Sequence, residues 1–390
     1  MEGCEKMFFK KLLSIFICLT LVFLTGCWDK IEIDDRAFVL AMVVNTAEKM
    51  QSNSTGTAES GGLITADFYM PIPSKLLSTG GGVDAYSVEH SDGKNLPMAV
   101  ENLNMKFSRQ MFFGQTKIIL VGEKALSDAK FLKELMDFIE REPDMGREAK
   151  IAVLKGDPKK LLSLKPKFEK VFASYMAGIF NNSERISSYL SLSINDFLSM
   201  IRENKGSVVL PVAEIGEDKV SIKQLALIKD YKLLNYMDEK YLKPYSLITN
   251  TLKDGNILVP YNNDIISLKV ASATRKISLT SSGDNLEYKV GIKIEGDIDN
   301  YISNEEIFQN KSISSIKDTV QKSIKDELDK TTSYFQNDIG YDYLGFNDYT
   351  KKHHNKLYKE YENSWNDEFR KANINYDVQV FIRRLGGSRK

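Results

Sequence analysis

The stretch LEYKVGIKIE, Leu286–Glu295, sets Leu286, Tyr288, Val290, Ile292 and Ile294 against Glu287, Lys289, Gly291, Lys293 and Glu295 in strict alternation. A period of two puts one set on a dry face and the other in water, so this is a strand of a sheet covered on one side. Toward the N-terminus, Ser281-Ser282-Gly283-Asp284 supplies a turn to a partner strand at Ile266–Leu279. Toward the C-terminus, Ile307, Ile313, Ile316, Val320, Ile324 and Leu328 recur at helical spacing and predict a long amphipathic helix. Leu357, Tyr358, Tyr361, Trp365 and Phe369 predict a second. Alternation returns at Ile374, Tyr376, Val378, Val380 and Ile382, which places a last strand beside the first one, with both helices on the apolar face. The expected C-terminal unit, residues 263–390, is an antiparallel sheet packed by two long helices, and Arg383–Lys390 is a solvated basic tail.

Upstream the pattern mixes strands and helices without strict alternation, so the fold class is α+β. Ala37–Val44 is one continuous apolar run of strand length, and Leu63–Met70 a second strand ended by Pro71 and Pro73. Asn45–Gly62 and Gly80-Gly81-Gly82 read as loops. Leu96, Val100, Leu103 and Phe107 form one stripe of a helix starting near Asn95, and Thr116–Val121 is a buried strand. Ser127 is placed to cap a helix carrying Phe131, Leu135, Phe138 and Ile139, which Pro143 stops. Lys150–Leu154 is a strand, and Asp157-Pro158 opens a short helix. Phe168, Phe172, Tyr175, Ile179 and Phe180 predict a further helix, and Phe197–Ile201 another. Gly206–Gly216 reads as a connection. A hairpin at Ile222–Ile228 and Lys232–Tyr236 then leads into a helix interrupted by Pro244. The expected division is 27–205, an N-terminal α+β domain, 206–262, a small middle domain, and 263–390.

Residues 1–26 stand apart. Lys10 and Lys11 precede thirteen uncharged residues, Leu12–Leu24, which close on Leu24-Thr25-Gly26-Cys27. A cationic start, a short apolar core and small residues before a cut make a cleaved leader, too short to span a bilayer core of roughly 30 Å. Leu-Thr-Gly-Cys resembles the bacterial lipobox, which implies a lipid-modified Cys27 as the first residue of the mature chain and membrane lipid as its first partner. Two or three acyl chains hold a protein durably where one is marginal. Trp28 follows directly, suited either to the headgroup level or to packing on the first domain. Cys4 and Cys18 fall in the leader, so the mature chain has no internal disulfide and no thiolate metal site.

The leader removes three lysines and two acids, leaving 50 basic and 51 acidic residues, a balance that gives no electrostatic case for nucleic acid. Hydrophobic content of 42% and charged content of 27% are ordinary globular values. The histidines are His90, expected in a loop with Asp92, and the neighbours His353 and His354. Adjacent helical positions point about 100° apart and do not make a metal face, so all three read as solvated. Gly80–Gly82 lacks the following Lys-Ser/Thr and helix of a phosphate loop. No catalytic, cofactor-binding or metal-ligating residue is nominated, and the chain is expected not to be an enzyme.

Several blocks in order carry a resemblance. Gly26-Cys27-Trp28-Asp29 with Glu32-Ile33 is one, and Phe112–Glu123 another, with Gln115 where His is expected. Asp137-Phe138-Ile139-Glu140-Arg141-Glu142-Pro143-Asp144, Trp365 and Ile382-Arg383-Arg384-Leu385-Gly386 follow. Together they resemble the Ger(x)C family, the lipoprotein C subunits of bacterial spore germinant receptors. Asp338–Gly345 departs from the more compact Asp-Ile-Phe-Gly-Phe-Gly of that pattern. The resemblance implies three α+β domains anchored on the outer face of the spore inner membrane. It implies two polytopic partners, the A and B subunits, and no catalytic residues; contact with the germinant is left open. A solute-binding lipoprotein of a transporter is the alternative and needs two similar lobes around a cleft. An envelope hydrolase is the third reading.

Overall fold

A computed structural model describes residues 32–47, 63–76, 85–186, 191–261, 264–280, 285–300 and 310–385. The leader, Cys27, Trp28, Gly80–Gly82 and the Ser281–Asp284 turn lie outside these residues. Strands β1 (Arg36–Phe38), β2 (Ala41–Thr46) and β3 (Ile64–Pro71) come first. Helix α1 (Pro73–Leu76), β4 (Tyr86–Gly93), α2 (Leu96–Asn104), β5 (Gln110–Phe112) and β6 (Ile118–Gly122) follow. Next are α3 (Ala129–Arg141), β7 (Lys150–Lys155), α4 (Phe172–Ile186) and α5 (Ile194–Glu203). Strands β8 (Val208–Ile215), β9 (Val220–Lys229) and β10 (Lys232–Met237) precede α6 (Glu239–Ile248). All but β1 and β5 of these strands form one eight-stranded sheet, in the order β10-β9-β8-β7-β6-β2-β3-β4. Its centre, β2-β6-β7-β8, is parallel, and its flanks are antiparallel hairpins.

The expected single strand Ala37–Val44 is divided. Val39 N donates to Phe112 O and Leu40 N to Tyr69 O, so the chain transfers its hydrogen bonds from one partner to another within two residues. β1 therefore pairs with β5 in a separate two-stranded parallel sheet, and only β2 enters the large one. The expected connection Gly206–Gly216 is the strand β8, buried from Val208 to Ala213. The missing N–H of Pro211 is tolerated because the recorded register with β7 begins at Val212. The 206–262 segment thus supplies β8–β10 to the eight-stranded sheet and one edge strand to the second sheet.

Caps follow local chemistry. Asn95 caps α2, its Oδ1 accepting from Met98 N at 2.9 Å. Asp128, not Ser127, caps α3, accepting from Lys130 N at 2.9 Å, while Ser127 donates backward to Lys124 O. Phe168 lies outside α4, which starts at Phe172, so the expected helix is shorter at its N-terminus. The β9–β10 turn has positive φ at Asp230 and Tyr231, which matches the twist of a two-residue hairpin.

The C-terminal sheet runs β11 (Gly255–Tyr261), β12 (Asp264–Leu279), β13 (Glu287–Asn300), β14 (Asn373–Leu385). β14 lies beside β13 as expected but runs parallel to it, so the sheet is mixed. A helical crossover on one face returns the chain in the same direction, which a hairpin cannot do. That crossover is α7 (Asn310–Ser333), a π-helical turn Tyr334–Ile339, and three short helices, α8 (Phe346–His353), α9 (Asn355–Tyr361) and α10 (Trp365–Lys371). The expected second long helix, carrying Leu357 to Phe369, is broken by the turn at 362–364 into α9 and α10, Ser364 leaving the helical region at φ −117°, ψ 17°.

Three apolar clusters hold the molecule together. One fills the space between the eight-stranded sheet and α2, α3 and α5, and one lies under α4 on the other face. The third is the core of the C-terminal sheet, and it takes in Val209, Leu225, Leu227 and Met237 of the first sheet. The two sheets therefore share apolar packing rather than a polar linker.

Candidate functional site at the joint between the sheets

The best-built polar cluster forms where the crossover loop meets β8 and β9. Gly340 at φ 66° and Gly345 at φ 84° occupy the left-handed region, which glycine enters freely, and fold Tyr341–Leu344 back on itself. This turns the Asp342 carboxylate inward. Its Oδ1 accepts from Leu344 N at 2.9 Å and Gly345 N at 3.1 Å, and its Oδ2 from Asn347 N at 2.6 Å and Trp365 Nε1 at 3.1 Å. Burial pushes this carboxyl up, and the N–H groups of Asn347, Trp365 and Leu344 hold it down, the net shift being upward.

Two further side chains cross the joint. Arg275 Nη1 donates to Ile248 O at the end of α6 and to Leu344 O, tying that helix to the Asp342 loop. A cation suits the negative end of a helix dipole. Burial pushes the Arg275 guanidinium down, while Tyr376 and Asp342 act in the opposite sense. Tyr343 donates its hydroxyl to Ile228 O at 2.8 Å, a bond from the crossover to β9. Around these residues lies a cleft of about 410 Å³, walled by Asn204 and Ser207 on one side and Tyr341, Asn347 and Asp348 on the other.

Chemically the cluster is a clasp. The Asp342 carboxylate already accepts four N–H groups, so it is occupied as a hydrogen-bond acceptor and ill suited to proton abstraction. The Arg275 contacts go to backbone carbonyls. Among the described residues, no group of three or more His, Cys, Asp or Glu is arranged to hold a metal ion, and no helix is long and apolar enough to cross a membrane.

The histidines fall elsewhere. His90 lies in strand β4, not a loop, with Nδ1 2.7 Å from Asp67 Oδ1 and Nε2 3.1 Å from Asp92 Oδ1. The hydrogen bond it donates to the Asp67 carboxylate raises its pKa above the ordinary 6.5, with burial acting the other way. His353 and His354 flank the Tyr349 ring at 4.8 and 5.8 Å. The expected lipidation residue, Cys27, lies outside the described residues. Sequence reasoning missed Asp342, Arg275 and Tyr343; the available signal was the paired glycines in Asp338–Gly345, the segment already marked as departing from its pattern.

Comparison with known proteins gives a consistent result. A family model described as spore germination protein N-terminal domain matches residues 29–215. A second, spore germination B3/GerAC like, C-terminal, matches residues 223–386. The chain is 22% identical to spore germination protein KC of Bacillus subtilis (strain 168), covering 97% of this chain and 96% of that one. It is 21% identical to spore germination protein YndF of the same organism, covering 95% and 96%. The crystal structure of the GerBC protein superposes with a TM-score of 0.58 at 12% identity, covering 83% of this chain and 94% of that chain, which shows a shared fold.

Proposed function

Because the chain belongs to the spore germination B3/GerAC-like family, we propose that it is the lipid-anchored C subunit of a spore germinant receptor. In this reading it carries no catalytic step. It is held by acyl groups on Cys27 at the outer face of the spore inner membrane and assembles with two polytopic subunits, A and B, to trigger germination in response to nutrients. The observation that carries the reading is the pair of family matches, 29–215 and 223–386, on a chain whose best-built polar cluster is a clasp between two sheets. The solute-binding alternative asks for two similar lobes, and the two sheets here differ in strand number and order. The test is affinity purification of the full chain from detergent-solubilised spores. Two polytopic proteins should co-purify in fixed ratio, and spores lacking the chain should lose a nutrient response. Recovery of the chain alone, with the response intact, would refute the reading.

A further inference from the structure

The parallel strands β2, β6 and β7 begin at one end of the eight-stranded sheet, where Ala41, Ile118 and Lys150 lie in register. Four separate stretches reach the same end. The N-terminal segment enters through Glu32–Leu40, with Leu40 N bonded to Tyr69 O. β3 leaves and β4 returns there, Pro71 facing Tyr86, with α1 between them. α2 packs beside the far end of β4, where Asn102 Nδ2 donates to Asp92 O at 2.9 Å, and at its C-terminus Asn104 Oδ1 accepts from Met111 N of β5 at 3.0 Å, β5 lying beside β1, whose chain runs on into β2. The loop before α4 arrives as well, with Lys170 O accepting from Ala85 N and Lys170 Nζ donating to Leu76 O at 3.2 Å.

Each stretch presents an apolar side chain to solvent at this end. Phe168 is 95% exposed, Met105 74% and Ile33 73%, higher than any other exposed large hydrophobic residue described, and Leu76 is exposed beside them. Cations flank them in sequence: Lys165, Lys167 and Lys170 around Phe168, Lys106 and Arg109 after Met105, Lys75 next to Leu76. Lys165 and Lys167 form no ion pair among the described residues. Glu32, Asp34, Asp35, Glu101 and Glu169 are acids on the same stretches, fewer than the cations named above together with Arg36. An exposed aromatic ring and long apolar side chains among lysines are the composition of a surface that rests in the headgroup layer of an anionic bilayer. Glu32 follows Cys27 by five residue steps, a span of at most about 18 Å, so an acyl anchor there keeps this end against the lipid.

We propose that this end of the molecule is a second, protein-borne membrane contact: Phe168, Met105, Ile33 and Leu76 enter the interfacial layer, and the flanking lysines and Arg109 meet lipid phosphates. The inference rests on the anchored reading above for where the bilayer lies. It orients the receptor subunit, with the β2–β6–β7 strands pointing away from the membrane.

The experiment uses the full acylated chain, whose processed form has Cys27 as its sole thiol and that thiol blocked by lipid. Phe168→Cys and, at the opposite end of the sheet, Leu162→Cys are labelled with a polarity-sensitive fluorophore and reconstituted in phosphatidylcholine vesicles with or without phosphatidylglycerol. The label at 168 should shift to the blue and be quenched by nitroxide lipid when phosphatidylglycerol is present. The effect should fade in 1 M salt, where the screening length falls to about 3 Å. The label at 162 should report water throughout. Vesicle flotation separates the two readings: a chain that floats while 168 stays in water overturns this contact alone, and a chain that does not float with either vesicle overturns the anchor and the contact together. Equal shifts at 162 and 168 would overturn it too.

Discussion

At the scale of single residues, Asp342 is the most demanding position. Removing its side chain leaves four N–H donors without an acceptor, two of them at the start of α8 and one on the buried indole of Trp365. An unsatisfied buried donor costs about 1–3 kcal/mol, and the costs are not additive. Asp342→Ala should therefore destabilise the chain by roughly 3–5 kcal/mol. Asp342→Asn, with one oxygen instead of two, should cost about half as much, which a shift in the denaturation midpoint would reveal. His90 gives a pH signature. Its folded pKa is raised above 6.5 by Asp67, so the pair contributes stability that is complete below the unfolded value and lost as pH rises through the folded one. The ring should titrate by NMR above an ordinary histidine, and Asp67→Asn should bring it part of the way back, Asp92 remaining beside Nε2. The residue pattern announced neither group. The partners of Asp342 sit two, three, five and twenty-three positions away, a set without a sequence period, and Asp67 reaches His90 only because β3 and β4 pair.

Elements were legible where one period ruled them. The alternation of Leu286–Ile294 and Ile374–Ile382 became β13 and β14, and the spacing of Ile316, Val320, Ile324 and Leu328 became the buried face of α7. Direction was not legible, because alternation is the same read either way; the parallel pairing follows from the crossover. β8 was hidden because Gly206, Pro211 and Gly216 mark turns more often than strands, and only burial on both faces overrides them. The helical pattern from Leu357 to Phe369 was real, but the turn at 362–364 divided it into α9 and α10. A prediction belongs here. Tyr343→Phe keeps the ring and removes the bond to Ile228 O, so it should cost about 1 kcal/mol. Its effect should appear as faster amide exchange at the end of β9 and in the 340–347 loop before exchange elsewhere. Uniform exchange changes would count against a clasp at this place.

For the whole molecule, the α+β class was readable from the mixed periods, whereas the joining of the sheets was not. Val209, Leu225, Leu227 and Met237 look like ordinary strand residues in sequence, yet they belong to the core of the C-terminal sheet. Leu227→Ala should cost about 2–5 kcal/mol, and it should lower the stability of both sheets in one transition. Two separated transitions by tryptophan fluorescence and circular dichroism would show independent units instead. The anchored reading gives Cys27 a lipid and no part in the folded body, so Cys27→Ala should leave the unfolding curve unchanged while releasing the chain from the membrane fraction. A parallel last strand also dictates when the protein can be finished. β13 waits more than seventy residues for its neighbour, until the whole helical crossover has been made. Until then β13 offers an unpaired edge, which is a template for association with other chains. A stop codon anywhere before Asn373 should therefore yield insoluble aggregate rather than a shortened soluble chain, and holding the chain extended until β14 has been made should protect it.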